Sequence, residues 1–138
     1  MKIPFIVALS FTLLSITSIA AVPVDANQLE RNKAKIVSRL YQASYGPEER
    51  CKKSVPAAAA EFSNELQRFS KNNANLISLL TKSPYYDLAK KDYSSDSADD
   101  TPQTLAEECE FYVVLLRSMN ETPEGKAAVK EFEEILSK

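Results

Sequence analysis

TPQTLAEECEFYVVLLRSMN, residues 101–120, is the stretch on which the fold of this chain turns. Thr101 followed by Pro102 is a helix start: a hydroxyl that can accept an orphan backbone N–H, then a residue whose missing N–H costs nothing in the first turn. Behind it Leu105, Cys109, Tyr112, Val113 and Leu116 recur at three- and four-residue spacing, while Phe111, Val114 and Leu115 fall on other sides of the same helix. A helix that is apolar on most sides is normally central, so the chain reads as all-α and built around this segment.

The flanking sequence repeats the pattern of cap, proline and apolar stripe. Thr122-Pro123 opens a last helix with Ala128, Val129, Phe132, Ile135 and Leu136 on one face. Upstream, Asn27 with Glu30 as its capping-box partner starts a helix whose stripe is Leu29, Ile36, Val37, Leu40 and Tyr41, and Gly46-Pro47 stops it. A short turn of helix from Pro47 to about Lys53 carries Cys51. Ser54 and Pro56 then open what is expected to be one long, bent helix from about Val55 to Thr81, with Phe62, Leu66, Phe69, Asn73, Leu76, Ile77 and Leu80 on a single face. Its weak point is Lys71 to Asn75, where asparagine competes for backbone hydrogen bonds and Asn75 offers a cap for a separate helix. Tyr85, Leu88 and Ala89 suggest a short helix ending near Asp92, and residues 94–100, polar and acidic, read as an exposed mobile loop. The expected fold is a single-domain bundle of four to five helices.

The N-terminus sets the compartment. Lys2, an apolar run from Ile3 to Ile19 and small residues at Ser18-Ile19-Ala20 are the three parts of a signal peptide. Residues 1–20 are therefore expected to be removed, leaving 21–138 as one secreted, extracellular domain. No second apolar segment is long enough to cross a bilayer, so no stable membrane insertion is expected after cleavage. In an oxidising compartment the two cysteines of the chain, Cys51 and Cys109, are expected to pair with each other. That bond closes a loop of nearly sixty residues, and on the chain-entropy account such a crosslink stabilises by roughly 4 kcal/mol.

Composition excludes much chemistry. The chain has no histidine, which removes Ser/His/Asp and Cys/His triads, imidazole zinc sites and an imidazole general base. Gly46 and Gly125 stand alone, whereas phosphate-cradling and dinucleotide-binding loops need several glycines close together. The net charge of −2, with both signs interspersed, points away from nucleic acid. Asp92, Asp96, Asp99 and Asp100 lack the alternating spacing of a calcium loop, so no metal and no cofactor is expected. A histidine-free enzyme would have to draw on residues such as Glu65, Arg68, Glu107, Glu108 and Arg117, which decorate any helical protein.

What remains is binding. The expected role is a non-enzymatic, effector- or cytokine-like interaction protein that engages another macromolecule. The alternative is an extracellular carrier holding a small apolar ligand, such as a fatty acid, between its helices, which would require an enclosed apolar cavity of at least about 300 Å³. The tyrosine pair Tyr85 and Tyr86 is the expected contact surface, because adjacent side chains on a short helix cannot both point inward. Asn120-Glu121-Thr122 is a glycosylation sequon, with Pro123 behind it hindering transfer at Asn120.

Overall fold

The computed structural model describes residues 25–93 and 99–138. The leader expected over 1–20 lies outside the described residues, as does most of the acidic stretch. Seven helices form among the described residues: α1 (Ala26–Ala43), α2 (Glu48–Lys52), α3 (Pro56–Asn72), α4 (Ala74–Lys82), α5 (Tyr86–Asp92), α6 (Pro102–Glu121) and α7 (Pro123–Leu136). The chain is an all-α single domain closed by one disulfide between Cys51 and Cys109, whose Cα atoms are 5.8 Å apart. The helix count exceeds four to five because the short connectors are themselves helical and the long helix divides.

The division falls at Asn73. Instead of one helix over 55–81, α3 ends and α4 begins around this residue, whose backbone leaves the helical region. Its Nδ2 donates to the Phe69 carbonyl at 3.0 Å and to Asn120 Oδ1 at 3.0 Å. The Phe69 carbonyl thus accepts both the backbone N–H and the side-chain amide of Asn73, a local side-chain bond of the kind by which asparagine competes with helical geometry. The start of α1 also differs from expectation: Asp25, not Asn27, is the cap, accepting the Asn27 N–H at 3.2 Å. Glu30 is left free to turn outward, where it accepts hydrogen bonds from Lys33 and Tyr85.

Proline-opened α6 carries the capping box that its Thr-Pro start implies. The Thr101 hydroxyl accepts the Thr104 N–H, and the Thr104 hydroxyl accepts the Thr101 N–H. Its buried side is Leu105, Ala106, Cys109, Val113, Leu116 and Met119. This helix touches α1, α2, α3 and α7, which makes it the central element. It runs parallel to α3, since Glu61 and Glu65 meet Arg117 and, further along both helices, Arg68 meets Glu121. A parallel pair needs a long return, and α4, α5 and the segment after them supply it.

At the other end a single residue, Thr122, closes α6 and opens α7. Its hydroxyl donates to the Ser118 carbonyl at 2.9 Å and accepts the Gly125 N–H at 2.9 Å. The reversal is tight enough that a Cβ on Gly125 would lie 2.0 Å from the Ser118 oxygen. Hence α7 can fold back over α6 and reach α4 and α1. Phe62, Phe69, Leu76, Leu80, Leu116 and Val37 fill the centre and are almost wholly removed from water.

Candidate interaction surface

Helical geometry places Glu107, Glu110, Phe111, Val114, Ser118 and Glu121 on one side of α6, opposite Cys109 and Leu116. Phe111 and Val114 occupy the middle of that side and are each 63% exposed, the largest exposures among the described big apolar residues. The Phe111 ring leans edge-on to Tyr112, with centroids 5.6 Å apart. Beside Val114 an open depression of about 390 Å³ is lined by Val114, Arg117, Ser118, Glu121 and Thr122. Expectation had this helix buried on most sides because it is central. The structure keeps it central and still leaves an apolar strip facing water. The sequence carries a signal for it: Phe111 and Val114 are three residues apart, and a glutamate precedes each by one turn.

One edge of the strip is an ion-pair network joining α6 to α3. Arg117 reaches Glu61 at 3.2 Å and Glu65 at 3.5 Å, and Arg68 reaches Glu121 at 2.6 Å and Glu65 at 3.3 Å. Glu65 is buried, so both guanidiniums answer one carboxylate withdrawn from water. Three of the five residues considered for catalysis, Glu65, Arg68 and Arg117, are therefore brought together, but they neutralise one another. Hydrogen bonds donated to carboxylates raise the pKa of both arginines, so neither gives up its proton.

Glu108 belongs to a second cluster. Arg50, buried beside the disulfide, donates to Asp100 at 2.8 and 3.1 Å and to Glu108 at 2.7 Å. The Tyr112 hydroxyl lies at the edge of hydrogen-bonding distance from Glu108, at 3.5 Å. Asp100, the last residue of the stretch read as an exposed loop, is half-buried on this anchor. Glu107 stands apart and exposed. Among the described residues no group of three acidic or cysteine side chains is placed to hold a metal ion.

Tyr85 and Tyr86 are both half-buried. The Tyr85 hydroxyl donates to Glu30 at 2.5 Å, fastening α5 to α1, and this bond lowers the Glu30 pKa and raises that of Tyr85. Tyr86 meets the edge of Tyr41 at 5.6 Å, and Tyr41 in turn meets Tyr93 at 5.8 Å. Burial pushes the Tyr93 phenol up to about 12 and raises Tyr41, Tyr86 and Tyr112 in the same direction. The corner at Gly46 lies beneath this cluster, where a Cβ would come within 2.9 Å of the Tyr93 ring. Leu88, 54% exposed, is the apolar side chain that α5 does show to solvent, beside a cleft of about 240 Å³ against α1.

Asn120 is turned inward. Its Oδ1 accepts from Asn73, and its Nδ2, the atom a glycan would be attached to, is buried with no hydrogen-bond partner among the described residues. A cleft between α2 and α3, about 380 Å³, has Phe62 and Leu66 at its base and Glu48, Lys52, Gln67 and the Tyr45–Ser70 hydroxyl pair around it. It opens to solvent. Comparison with protein-family models, with curated proteins and with solved structures finds no match to this chain.

Proposed function

We propose that this chain is a secreted, non-enzymatic interaction domain that engages another macromolecule through the outer side of α6. The observation that carries the reading is the exposure of Phe111 and Val114, 63% each, on the helix that packs against α1, α2, α3 and α7. Adjoining exposed apolar side chains rimmed by charge form the kind of patch at which a partner docks, because covering them recovers burial energy that exposure forgoes. Support also comes from Arg50, Asp100, Glu108, Glu65, Arg68 and Arg117, which answer each other in ion pairs rather than converging on a reactive group. The buried disulfide fits an oxidising compartment, and among the described residues no helix is long and apolar enough to cross a membrane. Carriage of a fatty acid is the weaker reading, since the 380 Å³ cleft is open and largely rimmed by polar groups.

The test exposes immobilised protein to the extracellular fluid of its natural setting, wild type beside a Phe111→Ser, Val114→Ser double variant, with protein and lipid fractions both analysed. The wild type should retain a macromolecule that the double variant releases, while thermal midpoints agree within about 2 °C because surface changes of this kind rarely alter stability much. Retention of lipid alone, or of the same proteins by both forms, would overturn the proposal. Export is checked separately by finding the protein in the medium with Ala21 as its first residue.

A further inference from the structure

We infer that the occupant of the α6 face is a basic amphipathic helix of another protein; this rests on the reading of that face as the contact surface. Two carboxylates sit among its apolar residues: Glu107 one turn before Phe111 and Glu110 one turn before Val114. Both are exposed, and among the described residues neither has an ion-pair partner. The one cation on the same side, Arg117, is already shared by Glu61 and Glu65. The face therefore offers a short apolar strip with unanswered negative charge along it. Its complement is a helix with large apolar residues three or four apart and Lys or Arg one turn from each.

A second copy of this chain fits less well. Docking two α6 faces would enclose the four carboxylates of Glu107 and Glu110 from both copies around an apolar contact, with no uncommitted cation on either face to meet them. Anionic lipid is repelled by the same charge.

The probe is a designed helical peptide of about 18 residues with Leu at helical spacing and Lys on the flanks, a length that spans the strip with a turn to spare. A twin carries Glu in place of Lys. Binding to the oxidised full-length protein is read by fluorescence anisotropy. The Lys peptide should bind, weaken with added salt, lose about tenfold in affinity against Glu107→Gln, Glu110→Gln, and lose binding against Phe111→Ser, Val114→Ser, while the Glu peptide stays free. Loss of binding in the apolar variant with no change in the Gln variant would overturn the basic partner while leaving the contact face standing. Indifference to both pairs of substitutions would overturn both. Concentration-dependent dimerisation abolished by Phe111→Ser, or preference for anionic vesicles over the peptide, would replace the inferred partner with another.

Discussion

At Gly125 the backbone of α7 lies against the last turn of α6 so closely that a single methyl group has nowhere to go: a Cβ would stand 2.0 Å from the Ser118 oxygen and 2.7 Å from the Met119 Cα. The obstacle is backbone, which cannot rotate aside, so Gly125→Ala should cost about 2 kcal/mol or more in urea unfolding. An unchanged midpoint would mean that the two helices do not meet this way. Tyr93 makes a second expectation at this scale. Its folded pKa of about 12 lies above the ordinary 10.0, so between these values the folded chain keeps a proton that the unfolded chain has released. Stability from this group is whole below pH 10 and is lost as the pH rises toward 12; Tyr41, Tyr86 and Tyr112 act in the same sense. Tyrosinate absorbance should show a high-pH fraction released together with unfolding. If every phenol titrates near 10 in the folded protein, the cluster is solvated and the packing of Tyr93 is wrong. Neither residue stood out by its neighbours in the chain, since Ser118 and the phenols of Tyr41 and Tyr112 approach them only through folding.

Among the elements, α3 and α4 show how a local preference needs a distant partner to take effect. The asparagines at 72, 73 and 75 mark a weak point, and composition alone leaves open whether the helix bends or breaks there. The break at Asn73 is settled by Asn120 of α6, whose Oδ1 takes the second hydrogen of the Asn73 amide. Asn73→Ala should therefore cost about 1 kcal/mol, and a cycle with Asn120→Ala should show coupling of at least about 0.5 kcal/mol. Additive single effects would deny the pairing. The capping residues of α6 and α7 were legible because a helix N-terminus is a local problem with a local answer. Thr101 and Thr122 each stand directly before a proline and each accepts the N–H of the third helical residue. The outward strip of α6 was half legible: Phe111 and Val114 fall off the core stripe in any helical projection, but which sides of a central helix its neighbours cover is not a property of that helix.

For the whole molecule the disulfide is the largest single device. It joins residues 58 apart and ties α2 to the middle of α6, with both cysteines only 1% exposed. Replacing both by serine should cost about 4 kcal/mol, measured as a drop in unfolding free energy against the oxidised form. Alkylation of the unreduced secreted protein should add no mass; two free thiols would defeat the crosslink and the expectation of an oxidising compartment with it. The sequence by itself determined that the domain is helical, where α6 and α7 begin, which stripes are buried and that Cys51 and Cys109 pair. These follow from interactions within a few residues, or from there being only two thiols. Only the tertiary structure decided that α3 and α6 run parallel, that Glu65 draws Arg68 and Arg117 into mutual neutralisation, that the tyrosines gather over Gly46, and that Phe111 and Val114 rather than Tyr85 and Tyr86 carry the most exposed apolar surface. Periodicity shows that a face is apolar; whether it is covered depends on how many neighbours fit around one helix, and α6 has neighbours on every side but that one.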